Sequence, residues 1–188
     1  MSLEQYGVIR VPKVGTMHLE FRVDKLNRII TFVGSYVIKN LTNSDLFCVR
    51  YNENKVRIDE EEILLEKGDL LPVEKDWGVQ FSFNKKSFTI LTQVKSMESL
   101  SYLKSESNRF KLAIVQRKTV SRHVIFQLKS PLIISNCLPK DIKIQFVRQG
   151  KTLSTKDIAA QTSHEVFADE DIHELRFKVI TDGFYWSQ

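Results

Sequence analysis

Four histidines, His18, His123, His164 and His173, and two cysteines, Cys48 and Cys137, are the residues best suited by type to ligate a metal or attack a substrate. Their spacing argues against either chemistry. No two histidines stand at the close helical or loop spacing of a zinc motif, and two cysteines are too few for a four-thiolate site. His164 and His173 flank Asp169, Glu170 and Asp171, but that run lacks the alternating oxygen ligands and central glycine of a calcium loop. It is expected to be a solvated acidic loop. No Gly-x-Ser-x-Gly elbow is present, and the seven glycines form no phosphate-cradling loop. Lys67-Gly68-Asp69 is a turn. The chain is therefore expected to be neither an enzyme nor the holder of a metal or cofactor, with both cysteines acting as small apolar fillers.

Asparagine offers a better lead. Asn40 and Asn136 each close an apolar strand and precede a turn, and each is followed five residues later by an Asp-apolar pair, Asp45-Leu46 and Asp141-Ile142. The offset (136 − 40) is 96 residues for all three positions. An asparagine side chain can bond its own backbone two residues on, or reach the orphan backbone groups of a neighbouring strand. The expected role is a lock at a strand end, with direct contact to a partner as the alternative. Upstream, Leu19–Val23 (LEFRV) matches Leu112–Gln116 (LAIVQ), with three extra residues in the second hairpin turn. A fixed period of this size marks a repeat array.

The elements that carry these residues are strands. Met17, Leu19, Phe21 and Val23 alternate with polar residues, which puts one apolar face on a strand. Asp24–Asn27 reads as a turn and Arg28–Val33 as the return strand. Runs rich in Val, Ile and Phe follow at Tyr36–Lys39, Leu46–Tyr51, Gly78–Phe83, Phe88–Val94, Phe110–Gln116, His123–Leu128, Leu132–Ile134, Ile142–Val147 and Leu175–Ile180. Amphipathic helical patterns are scarce. The expectation is an all-β chain of two tandem β-sandwich-like repeats. Residues 1–14 form a leading segment that could finish a preceding repeat. Residues 15–97 form the first repeat, 98–109 a Ser-rich linker, and 110–188 the second repeat.

Composition agrees. Of 188 residues, 42% are apolar and 12 are Phe, so a core can be buried. The net charge of +5 is mild, and runs such as Asp59–Glu62 would repel phosphates, which argues against a nucleic-acid stripe. No run of about 18 apolar residues encodes a membrane helix. No signal peptide is visible, so the expected compartment is the reducing cytoplasm.

Ser130–Phe146 (SPLIISNCLPKDIKIQF) places an apolar strand, Asn136, the Leu138-Pro139 pair and a second strand in succession. Leu175–Gln188 (LRFKVITDGFYWSQ) closes with the Trp186-Ser187 dipeptide. In that order these residues resemble the repeat signature of the adaptor-binding domain in the vacuolar protein sorting thirteen family. The first repeat departs from it, with Thr42-Asn43 in place of Leu-Pro. The resemblance implies a fragment of a bridge-like lipid transfer protein. It implies an array of β-sandwich repeats that captures adaptors carrying a proline-x-proline segment, and so peripheral association with organelle membranes and contact sites. Asn40, Asn136, Leu138, Pro139 and Trp186 are then the partner-binding or repeat-defining positions. Two other readings stand beside this one: a membrane-surface or lipid-binding sandwich, for which Lys85-Lys86 and Arg117-Lys118 are the basic candidates, and a structural spacer without a ligand.

Overall fold

The computed structural model describes residues 5–11, 15–24, 27–97, 101–107, 110–118, 124–167, 174–181 and 185–186. His123, Asp169, Glu170, Asp171, His173 and Ser187 lie outside the described residues. So do 1–4 and 12–14 of the leading segment, and 98–100, 108 and 109 of the expected linker.

Among the described residues all regular structure is strand, apart from one 3-10 turn at Val94–Ser96. Strands β1 (Gln5–Val11), β2 (Gly15–Asp24) and β3 (Asn27–Gly34) form an antiparallel meander. There follow β4 (Tyr36–Asn40), β5 (Leu46–Tyr51), β6 (Ile63–Leu65), β7 (Leu70–Val73), β8 (Gly78–Ser82), β9 (Thr92–Gln93) and β10 (Ser101–Lys104). The chain continues through β11 (Lys111–Lys118), β12 (Val124–Lys129), β13 (Leu132–Ser135), β14 (Ile142–Arg148), β15 (Lys151–Ile158), β16 (Ser163–Val166) and β17 (Glu174–Val179).

The first unit has two sheets, ordered β10-β11-β12-β4-β7 and β6-β5-β8-β9. Within the five-stranded sheet β12 and β4 run parallel, with Ile38 opposite Phe126 and Asn40 opposite Leu128. One buried cluster joins the sheets. Ile38, Leu71, Leu112, Ile114, Phe126 and Leu128 come from one, and Leu46, Cys48, Leu65, Val79 and Phe81 from the other. Alternation explains which residues point inward, since every second position of a strand shares a face. The second unit pairs a two-stranded sheet, β13-β16, with a three-stranded one, β15-β14-β17, around Ile142, Ile144, Phe146, Ile158 and Val166.

The two units share registers. Cys48 opposes Phe81 as Ile144 opposes Phe177, each 96 residues on. Leu46 opposes Leu65 as Ile142 opposes Ile158. Upstream the expected match slips by two. Leu19 opposes Phe32 as Ile114 opposes Leu128, so Ile114 and not Leu112 takes the place of Leu19. A slide of two residues leaves every side chain on its own face, so the apolar pattern alone does not distinguish the two matches.

Two other expectations differ from the structure. The expected linker carries β10, which pairs with β11, and the first unit's core continues to Leu128. Strands 101–129 thus complete a sheet begun at β4. The run Phe88–Val94 holds only the short β9, where Thr89, Ile90 and Leu91 lie outside any strand. Pro72 sits inside edge strand β7, where proline costs no ladder bond on the outer side.

Candidate functional site

Asn40 and Asn136 are both buried, and their amides make matching bonds. The Asn40 Nδ2 donates to the carbonyls of Ser44 and Leu65, each at 2.9 Å, and its Oδ1 accepts from the Thr42 backbone N–H at 3.0 Å. The Asn136 Nδ2 donates to the carbonyls of Lys140 (2.9 Å), Ile158 (3.1 Å) and Ala159 (3.0 Å), and its Oδ1 accepts from the Leu138 N–H at 3.0 Å. In both corners the amide ties the turn four residues ahead to the end of the strand paired across. Each amide donates to backbone carbonyls of two separate segments, so it holds them together at the corner. In the first corner the Thr42 hydroxyl adds a 2.7 Å bond to the Asn40 Oδ1, which fills the place that Leu-Pro holds in the second.

Replacing Asn136 with Ala should therefore lower unfolding free energy by about 1–3 kcal/mol. Asp at the same position should do no better, because a carboxylate would face three carbonyl oxygens. Urea unfolding checks this: a midpoint unchanged in both variants would show that the corner holds without the amide.

Of the other sequence-derived positions, Leu138 meets the Asn136 amide through its backbone N–H alone. Leu138 and Pro139 are exposed on the β13–β14 corner. Trp186 is half-buried, with the Lys178 ammonium 5.1 Å from its ring centroid. Cys48 is a core filler, and burial pushes its thiol pKa well above the ordinary value. Cys137, expected to be a filler too, is exposed, because the β13–β14 turn carries it past the end of its strand. Among the described residues no three His, Cys, Asp or Glu side chains gather as metal ligands.

What the fold does bring together is aromatic. Phe83 leaves the end of β8, Phe110 precedes β11, and Phe167 follows β16. The Phe83 ring meets Phe110 edge-on at 5.0 Å and Phe167 at 4.7 Å. The Phe167 carbonyl accepts the Lys111 N–H at 2.7 Å, which stitches the second unit to the first at this point. Nearby, Glu165 Oε2 accepts the Asn43 N–H at 2.8 Å.

Beside this cluster opens a groove of about 450 Å³, lined by Phe83, Asn84, Lys86, Ser87, Glu106, Ser107 and Phe110. Its walls are held by short polar contacts. The Ser87 and Ser107 hydroxyls lie 2.7 Å apart. Asn84 Oδ1 accepts from the Lys86 N–H at 3.0 Å, which fixes the turn through Lys85, whose φ is +61°. Glu106 accepts from Gln80 Nε2 at 3.0 Å. The groove thus has an aromatic floor and both signs of charge, Lys86 and Glu106, on its rim. Its volume falls in the range of ligand pockets, roughly 300–1,000 Å³.

The two edges of the five-stranded sheet are less inviting. β7 carries Pro72, and beyond β10 the Thr89–Ser105 bridge and the bond from the Ile90 N–H to the Lys104 carbonyl occupy part of the outer side. Of the basic pair, Lys85 is engaged with the Phe47 ring at 4.7 Å and with Glu62 at 3.8 Å.

Sequence reasoning missed this groove. The dense phenylalanines of Phe81–Phe88 were assigned to strands, and the Asn84 turn that lifts Phe83 toward Phe110 carries only an Asn-Lys-Lys signal. It also missed the Arg50–Asp59 pair, whose partners stand nine residues apart on either side of a turn.

Residues 27–188 match the family model described as vacuolar-sorting associated protein 13, adaptor binding domain. Among curated proteins none matches the chain. No helix among the described residues is long and apolar enough to cross a membrane.

Proposed function

The chain belongs to the vacuolar-sorting associated protein 13 adaptor binding domain family, and from that premise we propose that it captures a proline-containing adaptor segment in the groove lined by Phe83, Phe110, Ser87 and Ser107. A protein-interaction role follows from the family. The groove is our assignment, and the proline-x-proline preference is the finer reading. The observation that carries it is the half-buried Phe83, packed on Phe110 and Phe167, at the floor of the groove.

Flat aromatic rings take proline rings well, and a proline-rich segment is already extended before it binds. Less ordering entropy is then lost on docking. Lys86 and Glu106 can meet the charged or backbone polar groups that flank the prolines. Asn40, Asn136 and Trp186 act at a distance from this groove, as holders of the strand corners and the closing segment, while Leu138 and Pro139 shape the second corner. Through its adaptor the domain brings a parent lipid transfer protein to a membrane surface in the cytoplasm, with no insertion of its own.

A labelled peptide carrying proline-x-proline tests the assignment by fluorescence anisotropy. Ser107 is exposed on the groove wall, so Ser107→Arg should fill the groove and leave the core intact. The expected result is at least about a tenfold loss of affinity, about 1.4 kcal/mol, with an unchanged melting temperature. Full affinity in this variant would move the site elsewhere. Binding to anionic vesicles without any adaptor would favour a lipid-binding sandwich instead.

A further inference from the structure

The five-stranded sheet turns its second face away from the first unit's core, and that face carries charge of one sign. Its strands read SYLK in β10, KLAIVQRK in β11, VIFQLK in β12, YVIKN in β4 and LLPV in β7, with no Asp or Glu among them. Side chains alternate along a strand. Ile38, Leu103, Phe110, Leu112 and Leu128 fill the core, so their neighbours Lys39, Lys104, Lys111 and Lys129 stand on the outer face.

The registers set these lysines in a diagonal row. Lys39 on β4 opposes Gln127 on β12. Lys129 comes two residues after Gln127 and opposes Ala113 on β11. Lys111 comes two residues before Ala113 and opposes Lys104 on β10. With strands about 4.8 Å apart and same-face residues about 6.8 Å apart along each, the row spans about 20 Å. Among the described residues no carboxylate lies within ion-pair distance of Lys39 or Lys129. One side of the row is apolar, with buried Val37 and half-buried Ile125, Val115 and Ala113. Beside the row stands Gln127, 8% exposed, whose Oε1 accepts no hydrogen bond among the described residues.

We infer that this face binds an extended acidic segment of another protein, with Asp or Glu at alternate positions. A row of about 20 Å matches about six extended residues. Carboxylates of the segment pair with Lys39 and Lys129, and the low charge opposition on the face makes it selective for acidic chains. The segment's backbone N–H groups supply the donor that the Gln127 Oε1 lacks. A phosphate headgroup brings acceptors alone and would leave that oxygen unpaired. Drawing Lys39, the cross-strand neighbour of Gln127, out to a carboxylate opens the approach to the amide. None of the four lysines lines the Phe83 groove, so the inference stands apart from the proline reading.

Fluorescence anisotropy of the full chain tests this with a labelled peptide of alternating glutamate and valine, about eight residues long. The same peptide with glutamine for glutamate is the control. The glutamate peptide should bind, more weakly as sodium chloride is raised, and the glutamine peptide should not. Lys39→Glu with Lys129→Glu should lower affinity at least about tenfold, and the milder Lys39→Gln with Lys129→Gln at least about threefold. Thermal melting confirms that each variant is folded. Ser107→Arg, which fills the groove, should leave this binding unchanged. A glutamate peptide that does not bind, equal affinity for the two peptides, or wild-type affinity in both lysine variants would each overturn the inference. Loss of binding in Ser107→Arg would place the peptide in the groove and overturn it as well. Phosphatidylserine vesicles that capture the chain through Lys39 and Lys129, while the glutamate peptide fails, would assign the face to a membrane instead.

Discussion

Asp59→Ala is expected to cost about 3–5 kcal/mol of unfolding free energy, among the largest losses any single surface-distant charge here can cause. Arg50 is only 8% exposed, on β5. Its Nη2 and Nε donate to the two Asp59 carboxylate oxygens at 2.6 and 3.0 Å, and its Nη1 donates to the Pro72 carbonyl at 3.1 Å. The guanidinium carbon lies 5.3 Å from the Trp77 ring centroid. Removing the carboxylate leaves this cation in a low-dielectric setting with one carbonyl and one ring for company, and the desolvation cost is no longer offset. The double replacement Arg50→Met with Asp59→Leu should recover most of the loss, since it removes both charges together. Urea titrations of the two variants decide the matter. An Asp59→Ala midpoint equal to wild type would mean that water reaches the guanidinium.

Phe81→Ala should be as severe, about 3–5 kcal/mol, whereas Phe177→Ala should cost clearly less. The two phenylalanines occupy the same place in the repeat, opposite Cys48 and Ile144 respectively. Phe81 is 0% exposed and Phe177 56%. The difference is therefore what covers them and not where they stand. Truncating Phe81 opens a cavity walled by both sheets, which close packing cannot refill. Phe177 already meets water over more than half of its surface, so its truncation opens no closed cavity. Equal losses at the two sites, measured by denaturant unfolding, would show that the second unit is closed in solution.

The legible part of this fold was the part with alternating apolar residues. Leu46–Tyr51 is a strand over the span its pattern marks, and Asn40 with Asn136 revealed the period because a corner lock leaves a polar residue at a fixed point in an apolar run. β15 left no such trace: seven of its eight residues, Lys151–Asp157, are exposed, so no apolar face forms. β6 and β7 are too short, at three and four residues, for alternation to declare itself. β10 was hidden in a serine-rich stretch whose buried members, Leu103 and Ser105, are separated by an exposed lysine. The groove was illegible for a different reason. Phe83, Phe110 and Phe167 lie far apart in sequence, and their meeting depends on a pairing of units that no local pattern encodes. The family resemblance did carry the protein-interaction role, through Asn136, Leu138-Pro139 and the closing Trp186, yet none of those residues lines the groove.

The adaptor groove is tested most directly by titrating an unlabelled proline-x-proline peptide into the isotope-labelled chain and following amide and aromatic NMR signals. The account predicts that shifts cluster at Phe83–Ser87, Glu106, Ser107 and Phe110, with contacts between the proline protons and the Phe83 and Phe110 rings. Shifts confined to the β7 or β13 edge, with those two rings undisturbed at saturation, would contradict it.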